Sequence, residues 1–442
     1  MMSERRWICL LASVLALAGA PVLAETIVGS AAAATAPPYG PPYGPPYIVR
    51  APTRSPTPRS STCADRHSSK RDPANPLMLS TPPPASDPLA GARFFVDGPA
   101  HGAAAGAIAR LLGADVHTPI GSVLPGFAVS ESWATFQRAV TRRLAHASRS
   151  VVRKVLLLEK IAVEPEAQRI SVFSAGGTPA GISAQTTKLF CHNFTADPGS
   201  IPIISTYFLH PVLGGCATTA TIDAYAPLFR ARIDAMAQAT GKRPAVYLVE
   251  LDAIGSSSCI AHHHALPAWE GLLRYEAETL EALPHTAVYI EGGYSDANSP
   301  GYAARILNGS GIGHIQGFFT NDTHINWTIN EIRYGEAISK RTHGAHFIID
   351  TADNGNGPLR NRHLRKQGIE DLCNPPGRAL GPQPTTSTGY PHVDAFLWTH
   401  VPGNSSGCGG GPPSGDFWPA RAIGLAARAN GRLGPHFPSA PY

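Results

Sequence analysis

Short apolar runs separated by longer amphipathic stretches constrain the fold of this chain more than any other feature. Each run is rich in β-branched or aromatic residues and is bounded by glycine, proline or polar turn residues, which is the pattern of buried strands. We predict strands at Arg93–Val96, Ile201–Leu209, Ala245–Leu251, Ala287–Ile290, Ile315–Phe319, His346–Asp350 and Ala395–Trp398.

The stretches between these runs carry helical periodicity. The segment from Trp418 to Leu433 repeats apolar residues at helical spacing, and so does a longer series. That series is Ile222, Tyr225, Phe229, Ile233 and Met236. Strand followed by helix, repeated, predicts an α/β fold with a parallel sheet. Closed into a barrel, such a sheet displays the carboxyl ends of its strands on one face, where polar residues can be catalytic. Acids end four of the predicted strands: Asp97, Asp252, Glu291 and Asp350.

The composition is that of a globular protein. With 442 residues, 43% of them hydrophobic and 15% charged, the chain can bury a large core. The formal net charge of +5 is spread thinly, without a Lys/Arg block interleaved with aromatic residues, so no nucleic-acid groove is predicted. One domain over residues 87–442, preceded by a tail, is the most economical organisation, and we expect a monomer.

The N-terminus has the pattern of a secretory signal. Arg5 and Arg6 precede an apolar stretch from Trp7 to about Ala20, and Val22-Leu23-Ala24 then has the pattern of a signal-peptidase site, with cleavage before Glu25. We predict a signal peptide over residues 1–24 and a secreted protein. A membrane anchor is disfavoured because the apolar run is short and no second such run follows.

Residues 25–86 are rich in Pro, Tyr and Ser, a composition that favours extended, solvated chain over packing. We interpret them as a largely disordered linker or a spacer near a cell wall. The alternative is an aromatic strip that binds polysaccharide through Tyr39, Tyr43 and Tyr47.

Cysteine usage agrees with export. Once Cys9 leaves with the signal, an even set remains, which suits disulfides in an oxidising compartment. That set is Cys63, Cys191, Cys216, Cys259, Cys373 and Cys408. No C-x-x-C pair is present, so we predict no zinc site, and we expect neither another metal nor a cofactor. The run His262–His264 is interpreted as a surface loop.

Three ordered segments near the C-terminus carry a family resemblance. Ile348–Pro358, Leu372–Gly381 and Asp394–Gly403 together resemble glycoside hydrolase family 6, the inverting cellulases. Further ordered matches extend the resemblance over roughly Asp87 to Pro438. It implies a distorted parallel (β/α) barrel with fewer closed strands than a full eight-stranded barrel, and a cleft roofed by loops.

The resemblance also implies a general acid. Glycoside hydrolysis with inversion needs an acid for the leaving oxygen and a means of activating water on the opposite face of the sugar. Val249-Glu250-Leu251-Asp252 matches the family segment whose aspartate is that acid, so Asp252 is predicted to be catalytic. By residue type alone, Asp252 would instead cap the helix that follows. The resemblance further implies disulfides Cys216–Cys259 and Cys373–Cys408.

Other family carboxylates are missing or altered in this chain. Gly215 stands where the family has an aspartate, and Pro402–Gly407 contains Asn404 and Ser406 where the family has two acids. Neutral side chains accept a proton from water poorly. The base then acts through a relayed water, with Asp353, Asp296 and Glu250 as candidates; each has a structural role as its alternative.

The remaining residues that the resemblance places at the cleft are candidate sugar contacts. We predict substrate binding by Glu291, Trp327, Trp398, Asn354, His400 and Asn404. For the tryptophans the alternative is a place in the core, and for Asn354 it is a tie between loops. Arg169 and Leu372 stand where the family has tryptophan, which reduces its aromatic platforms.

The predicted function is a secreted glycoside hydrolase that cleaves β-1,4-glucan or a related β-linked polysaccharide with inversion. The first alternative is a catalytically impaired member that binds glycan through the same cleft. A wall-associated structural protein, in which the tail carries the function, is the second alternative. The substrate is the only partner expected, without nucleic acid or stable membrane insertion.

Overall fold

The computed structural model describes residues 87–99, 101–113, 133–197, 199–214, 216–359 and 373–429. The predicted signal peptide and linker, with Cys63, lie outside these residues, as do Gly215 and Leu372. No helix within the described ranges is long and apolar enough to cross a membrane.

The centre of the fold is a seven-stranded sheet in which every strand pairs in parallel with its neighbours, in the order of the sequence. Its strands are β1 (Gln168–Ser171), β2 (Ile203–Tyr207), β3 (Ala245–Val249), β4 (Thr286–Glu291), β5 (Gly317–Thr320), β6 (His346–Asp350) and β7 (Val393–Leu397).

Helices precede, connect and follow these strands. They are α1 (Ala103–Leu111), α2 (Trp133–Leu144), α3 (Arg149–Ala162), α4 (Pro179–Ala196), α5 (His210–Leu213), α6 (Thr219–Thr240), α7 (Ala253–His262), α8 (Leu266–Glu281), α9 (Pro300–Gly309), α10 (Thr328–Ser339) and α11 (Pro419–Arg428).

The predicted strands from Ile201 onward are found in the sheet, at slightly different bounds. The first predicted strand is wrong: within Arg93–Val96, Phe94 makes only an isolated parallel bridge to Ile201. Strand β1 was not predicted, because its sequence Gln-Arg-Ile-Ser is short and half polar. As an edge strand, β1 leaves Arg169 exposed.

The two edges of the sheet approach each other. The backbone N–H of Ala167, just before β1, donates to the carbonyl of Trp398, just after β7, at 2.9 Å. The sheet is therefore strongly curled and incompletely closed, which agrees with the predicted distorted barrel.

Side chains alternate between two hydrophobic layers along each central strand, as the two-residue period of a strand requires. In β3, Tyr247 and Val249 pack in the layer that contacts the helices, whereas Val246 and Leu248 pack inside the curl of the sheet. A third cluster joins α1, α2, α3 and α11 beside the last strand, and Trp398 belongs to it.

A polar network crosses the interior near the amino ends of β5 and β6. Asp394 accepts hydrogen bonds from Tyr289 Oη (2.6 Å) and Gln316 Nε2 (3.1 Å), and its Oδ1 lies 2.5 Å from His346 Nδ1. Asp394 is fully buried. Because these residues come from β4, β5, β6 and β7 or their immediate starts, the network ties the second half of the sheet together.

Candidate active site

Ionisable side chains gather where the parallel strands end. Asp252 follows β3, Glu291 ends β4, Asp322 follows β5, Asp350 ends β6 and His400 follows β7. The carboxyl ends of neighbouring parallel strands lie at one edge of the sheet, so the fold brings these groups to a common face.

Asp252 lies at this face on an unusual backbone. Its φ of 62° is in the left-handed region, which costs free energy for a residue other than glycine and is concentrated at functional sites. It precedes α7 but makes no side-chain hydrogen bond to the first turn of that helix. The capping alternative therefore does not describe Asp252, whose partly exposed carboxylate points elsewhere.

Three hydroxyl groups surround the Asp252 carboxylate. Oδ1 accepts from Tyr294 Oη at 2.9 Å and from Thr323 Oγ1 at 3.0 Å, while Oδ2 accepts from Tyr207 Oη at 3.3 Å. The donors come from segments that follow or end β4, β5 and β2. A carboxylate held by hydroxyls from three strands has a defined orientation in the cleft.

Two buried carboxyls accept hydrogen bonds from backbone N–H groups of the segments around Asp252. Glu250 accepts from the backbone N–H groups of Phe208 and Leu209 at 2.8–3.0 Å. Burial raises the pKa of Glu250 to about 7, against the lowering effect of these two N–H groups. Glu250 has no exposed surface, so it is a positioning residue and cannot reach a water in the cleft; its candidacy as base is wrong.

Glu291 is the second of these buried carboxyls. Its Oε2 accepts from the backbone N–H of Ile254, in α7, and its Oε1 accepts from that of Gly293 at 2.5 Å. Burial, together with the charges of Asp322 and Asp252, raises the pKa of Glu291 well above its ordinary value. With no exposed surface, Glu291 cannot contact a sugar ring, and that expectation is corrected: burial makes it a support for the turn.

Asp322 is a further carboxyl at this face. It is 4% exposed, and neither carboxylate oxygen has a hydrogen-bond partner among the described residues. Burial, the charge of Asp252 and the charge of Asp350 raise its pKa well above the ordinary value, and Arg169 opposes the shift. Asp322 therefore holds a proton more readily than an exposed aspartate does.

An ion-pair chain occupies the ends of β6 and β7. Asp350 Oδ2 lies 3.0 Å from His400 Nδ1, Asp353 Oδ1 lies 3.9 Å from His400 Nε2, and Asp353 Oδ2 accepts from Arg421 Nη2 at 2.7 Å. Burial alone lowers the pKa of His400, but Asp350 and Asp353 outweigh it and raise the value to about 9. His400 is therefore a cation at neutral pH, between two carboxylates.

Asp296 is engaged elsewhere. Its Oδ1 accepts from Asn326 Nδ2 at 2.7 Å and lies 2.8 Å from His324 Nδ1. Burial raises the pKa of Asp296, but His324 and Asn326 outweigh it and bring the value below normal. A weakly basic, already paired carboxylate is a poor acceptor for a proton from water.

Two of the predicted sugar contacts are buried, and both expectations are corrected. Trp398 is fully buried and its Nε1 donates to the carbonyl of Pro382 at 3.2 Å, so it presents no face to a sugar. Asn354 is 2% exposed, and its Nδ2 donates to the carbonyl of Asn326 at 2.9 Å and to Thr328 Oγ1 at 3.1 Å. Asn354 therefore ties loops together.

The other predicted sugar contacts retain some exposure. Trp327, Asn404 and His400 are partly exposed, and the indole of Trp327 lies against the backbone of Gly357, where a Cβ would come within 2.1 Å of the ring. Their contact with a sugar stays a prediction.

The loop that lacks the family's acids is firmly held. Asn374 Oδ1 accepts from the backbone N–H of Ser406 at 2.9 Å, and Asn374 Nδ2 donates to Ser405 Oγ at 3.1 Å and to the carbonyl of Cys408 at 2.7 Å. Ser406 is exposed. The neutral residues therefore occupy an ordered loop, fixed next to a disulfide.

Disulfides join Cys216 with Cys259 and Cys373 with Cys408, the pairing that the resemblance implies. Cys191 is disulfide-bonded as well. The first bridge links the segment after α5 to α7, next to Asp252, and so restrains the neighbourhood of the predicted acid.

Tyr207, Thr323 and Asp322 belong to the site but are not among the residues predicted from sequence. Each ends or closely follows a strand, so the rule that catalytic groups lie at the carboxyl ends of parallel strands could have found them. The signal is weak for Asp322 and Thr323, because a polar pair after an apolar run also reads as an ordinary turn.

Comparison with known proteins places this geometry in a family. A family model described as "Glycosyl hydrolases family 6" matches residues 214–429. Endoglucanase 1 from Streptomyces sp. (strain KSM-9) is 31% identical over 283 residues, which cover 62% of this chain and 72% of that protein. Endoglucanase A from Cellulomonas fimi is 30% identical over 276 residues, but these cover only 56% of its length.

Solved structures agree. The endoglucanase Cel6 from Mycobacterium tuberculosis, in complex with methyl-cellobiosyl-4-deoxy-4-thio-β-D-cellobioside, has a TM-score of 0.55 and 33% identity, covering 64% of this chain and 95% of that one. Endoglucanase CEL6B from Humicola insolens has a TM-score of 0.54 at 17% identity, covering 77% of this chain and 98% of that one, and shares the fold. Together, the parallel sheet, the strand-end carboxylates and these similarities show that the chain belongs to glycoside hydrolase family 6.

Proposed function

We propose that this protein is a secreted glycoside hydrolase that cleaves β-1,4-glucan, or a related β-linked polysaccharide, with inversion and with Asp252 as the general acid. The observation that carries the proposal is the placement of Asp252: a partly exposed carboxylate on a left-handed turn, oriented by the hydroxyls of Tyr207, Tyr294 and Thr323. The endoglucanases among its relatives support the substrate class.

In this mechanism Asp252 protonates the glycosidic oxygen as the bond to the anomeric carbon breaks, and a water attacks the opposite face of the sugar. Of the base candidates, Glu250 is buried and Asp296 is paired. Asp353 is also buried, at 6% exposed, and Arg421 occupies its Oδ2, but its Oδ1 faces His400 at 3.9 Å, beyond hydrogen-bond distance, so that a proton could reach this oxygen only through an intervening water. We therefore assign Asp353 the proton of the attacking water, received through a relayed water.

The test is the release of reducing ends from a panel of soluble and insoluble β-glucans. Asp252→Asn keeps the size of the side chain and should lower turnover by about two to four orders of magnitude, as expected for loss of a general acid. Asp234→Asn on the exposed face of α6 is the matched control and should retain full activity. Proton NMR of the first products should show the α-anomer; a β-anomer would contradict inversion.

A second candidate function is glycan binding without turnover. It is favoured by one observation, the neutral Asn404 and Ser406 in an ordered loop where the family carries acids. Protein that releases no reducing ends from any glycan, yet retains one in a pull-down, would support it over hydrolysis.

Secretion is proposed from residues 1–24. Expression of the full chain in its own type of host, followed by N-terminal sequencing of protein from the medium, should give a mature chain that begins at Glu25. Retention of the intact N-terminus inside the cell would contradict it.

A further inference from the structure

Asp322 is a buried carboxyl without a hydrogen-bonded side-chain partner among the described residues. It is 4% exposed, and both of its oxygens lack a hydrogen-bond partner among the described residues. Leaving a buried polar group without a hydrogen bond costs free energy, and leaving a buried charge without one costs more. A valine or leucine at this position would avoid that cost. We therefore look for a function of the carboxyl in the site.

The segment that carries Asp322 is fixed on both sides. The preceding residue, Asn321, has a φ of 73° and donates from Nδ2 to the carbonyl of Asp350 at 3.0 Å. The following residue, Thr323, contacts Asp252 Oδ1 at 3.0 Å and Tyr294 Oη at 2.8 Å. One neighbour of Asp322 is thus bound to the end of β6 and the other to the predicted acid, which places Asp322 between Asp252 and Asp350.

The surrounding charges couple Asp322 to Asp252. The negative charge of Asp252 makes ionisation of the buried Asp322 carboxyl less favourable, so a proton on Asp322 is stabilised while Asp252 is a carboxylate. The positive group facing Asp322 is Arg169, whose guanidinium also lies 5.7 Å from the centre of the Tyr207 ring. The negative groups facing it are Asp252, Asp350 and Glu291.

We propose that Asp322 is a proton-holding residue that supplies Asp252 with the proton delivered to the glycosidic oxygen. This inference rests on the proposed function and deepens it. In the free protein the more buried Asp322 keeps the proton. A bound sugar covers the partly exposed Asp252 and removes its water, which favours transfer of the proton to Asp252 and leaves Asp322 as a carboxylate opposite Arg169.

The protons balance over a full turnover. Asp322 loses a proton to Asp252, and Asp252 passes it to the leaving oxygen as the glycosidic C–O bond breaks. The attacking water forms the new C–O bond and releases one proton through the relay described above. After the products leave, the Asp252–Asp322 pair takes one proton from solvent, so glycoside and water yield two sugar hydroxyls without any other reactant.

The experiment compares two substrates in wild-type protein and in Asp322→Asn, which keeps the shape of the side chain. Cleavage of a cello-oligosaccharide needs protonation of the leaving oxygen. Cleavage of 2,4-dinitrophenyl β-cellobioside does not, because its leaving group, 2,4-dinitrophenolate, is a stable anion. We expect kcat for the cello-oligosaccharide to fall by about ten- to a hundredfold, less than the loss of about two to four orders of magnitude expected when the acid itself is removed, and kcat for the dinitrophenyl substrate to change less than about threefold. Asp252→Asn should show the same asymmetry, more strongly.

The matched control is Glu281→Gln, which neutralises a half-buried carboxyl on another part of the sheet, bonded to the backbone N–H of Val288 in β4. It should leave both rates and the pH–rate profile unchanged. Asp322→Asn should also shift the pH–rate profile for the cello-oligosaccharide, an effect that a purely structural role would not produce.

Outcomes separate the two proposals. Suppose that the wild type is active and that Asp322→Asn lowers kcat equally for both substrates, or for neither. That result overturns the proton-holding role and leaves the proposed function standing. A wild type that hydrolyses neither substrate overturns the proposed function and this inference with it. If Asp322→Asn does not fold, carbon-13 NMR of aspartate carboxyls decides: the titration of Asp322 should move to lower pH in Asp252→Asn, and an unmoved titration refutes the coupling.

Discussion

Removing the Asp394 carboxylate should strongly destabilise the protein. In the structure Asp394 accepts from Tyr289 and Gln316 and pairs with His346, all in the interior of the sheet. Asp394→Ala removes the carboxylate that these three groups share. Breaking a buried pair by removal of one member costs about 3–5 kcal/mol, and the loss of the acceptor of the Tyr289 hydroxyl adds to this cost.

The measurement is guanidinium unfolding followed by circular dichroism, with Asp394→Asn as the matched variant that keeps one acceptor oxygen. We expect Asp394→Ala to lose about 3–5 kcal/mol of unfolding free energy and Asp394→Asn to lose less. A loss below about 1 kcal/mol for Asp394→Ala, the size of one ordinary hydrogen bond, would refute the structural role of the network.

The same network predicts a pH dependence of stability. Burial lowers the pKa of His346, but the hydrogen bond and charge of Asp394, with Asp87 and Glu336, raise it above its ordinary 6.5 overall. A folded-state pKa above the unfolded value contributes stability that is fully present below the unfolded pKa and is lost as the pH rises through the folded pKa. The contribution of His346 to the free energy of unfolding of the wild type should therefore decrease as the pH rises above 6.5. This decrease should be absent in His346→Gln. A wild-type curve that rises with pH in this window, with the variant unchanged, would contradict the assignment.

Further predictions concern the cleft. If Asp353 has taken over as base, Ser406→Asp should leave reducing-end release unchanged or lower it; an increase would instead indicate an empty base position. Since the His400 pKa is about 9, the cation between Asp350 and Asp353 is lost as the pH rises through 9. If turnover needs this cation, activity should fall over that pH range, and His400→Lys should move the fall to higher pH. A pH–activity profile that is the same in His400→Lys would show that turnover does not need the cation. Replacing Cys216 and Cys259 by serine should cost about 2–4 kcal/mol, measured by unfolding under non-reducing conditions, whereas a cost below about 1 kcal/mol would show that this bridge does not stabilise the fold.

The sheet was largely predictable from sequence because its central strands are buried on both faces and read as continuous apolar runs. Strand β1 escaped prediction because Gln168 and Arg169 break that pattern at an exposed edge. The opposite error occurred at Phe94, where an apolar run forms a single bridge to Ile201. Apolar content predicts burial, and pairing depends on neighbours that are distant in sequence.

The candidate site was predictable only in part, for a related reason. Asp252 is found from its local motif, but its hydroxyl partners lie 45, 42 and 71 residues away and meet it only through the fold. Local sequence also cannot tell which way a strand-end side chain points. Trp398 and Glu291 accordingly looked available for sugar and are fully buried.

The central claim is that a single carboxylate, Asp252, protonates the glycosidic oxygen of a β-glucan. Reducing-end release from soluble β-glucan, compared between wild-type protein, Asp252→Asn and the surface control Asp234→Asn, tests it most directly. We predict turnover in the wild type and the control, and a loss of about two to four orders of magnitude in Asp252→Asn with folding intact. Turnover by folded Asp252→Asn near the wild-type rate would contradict the claim.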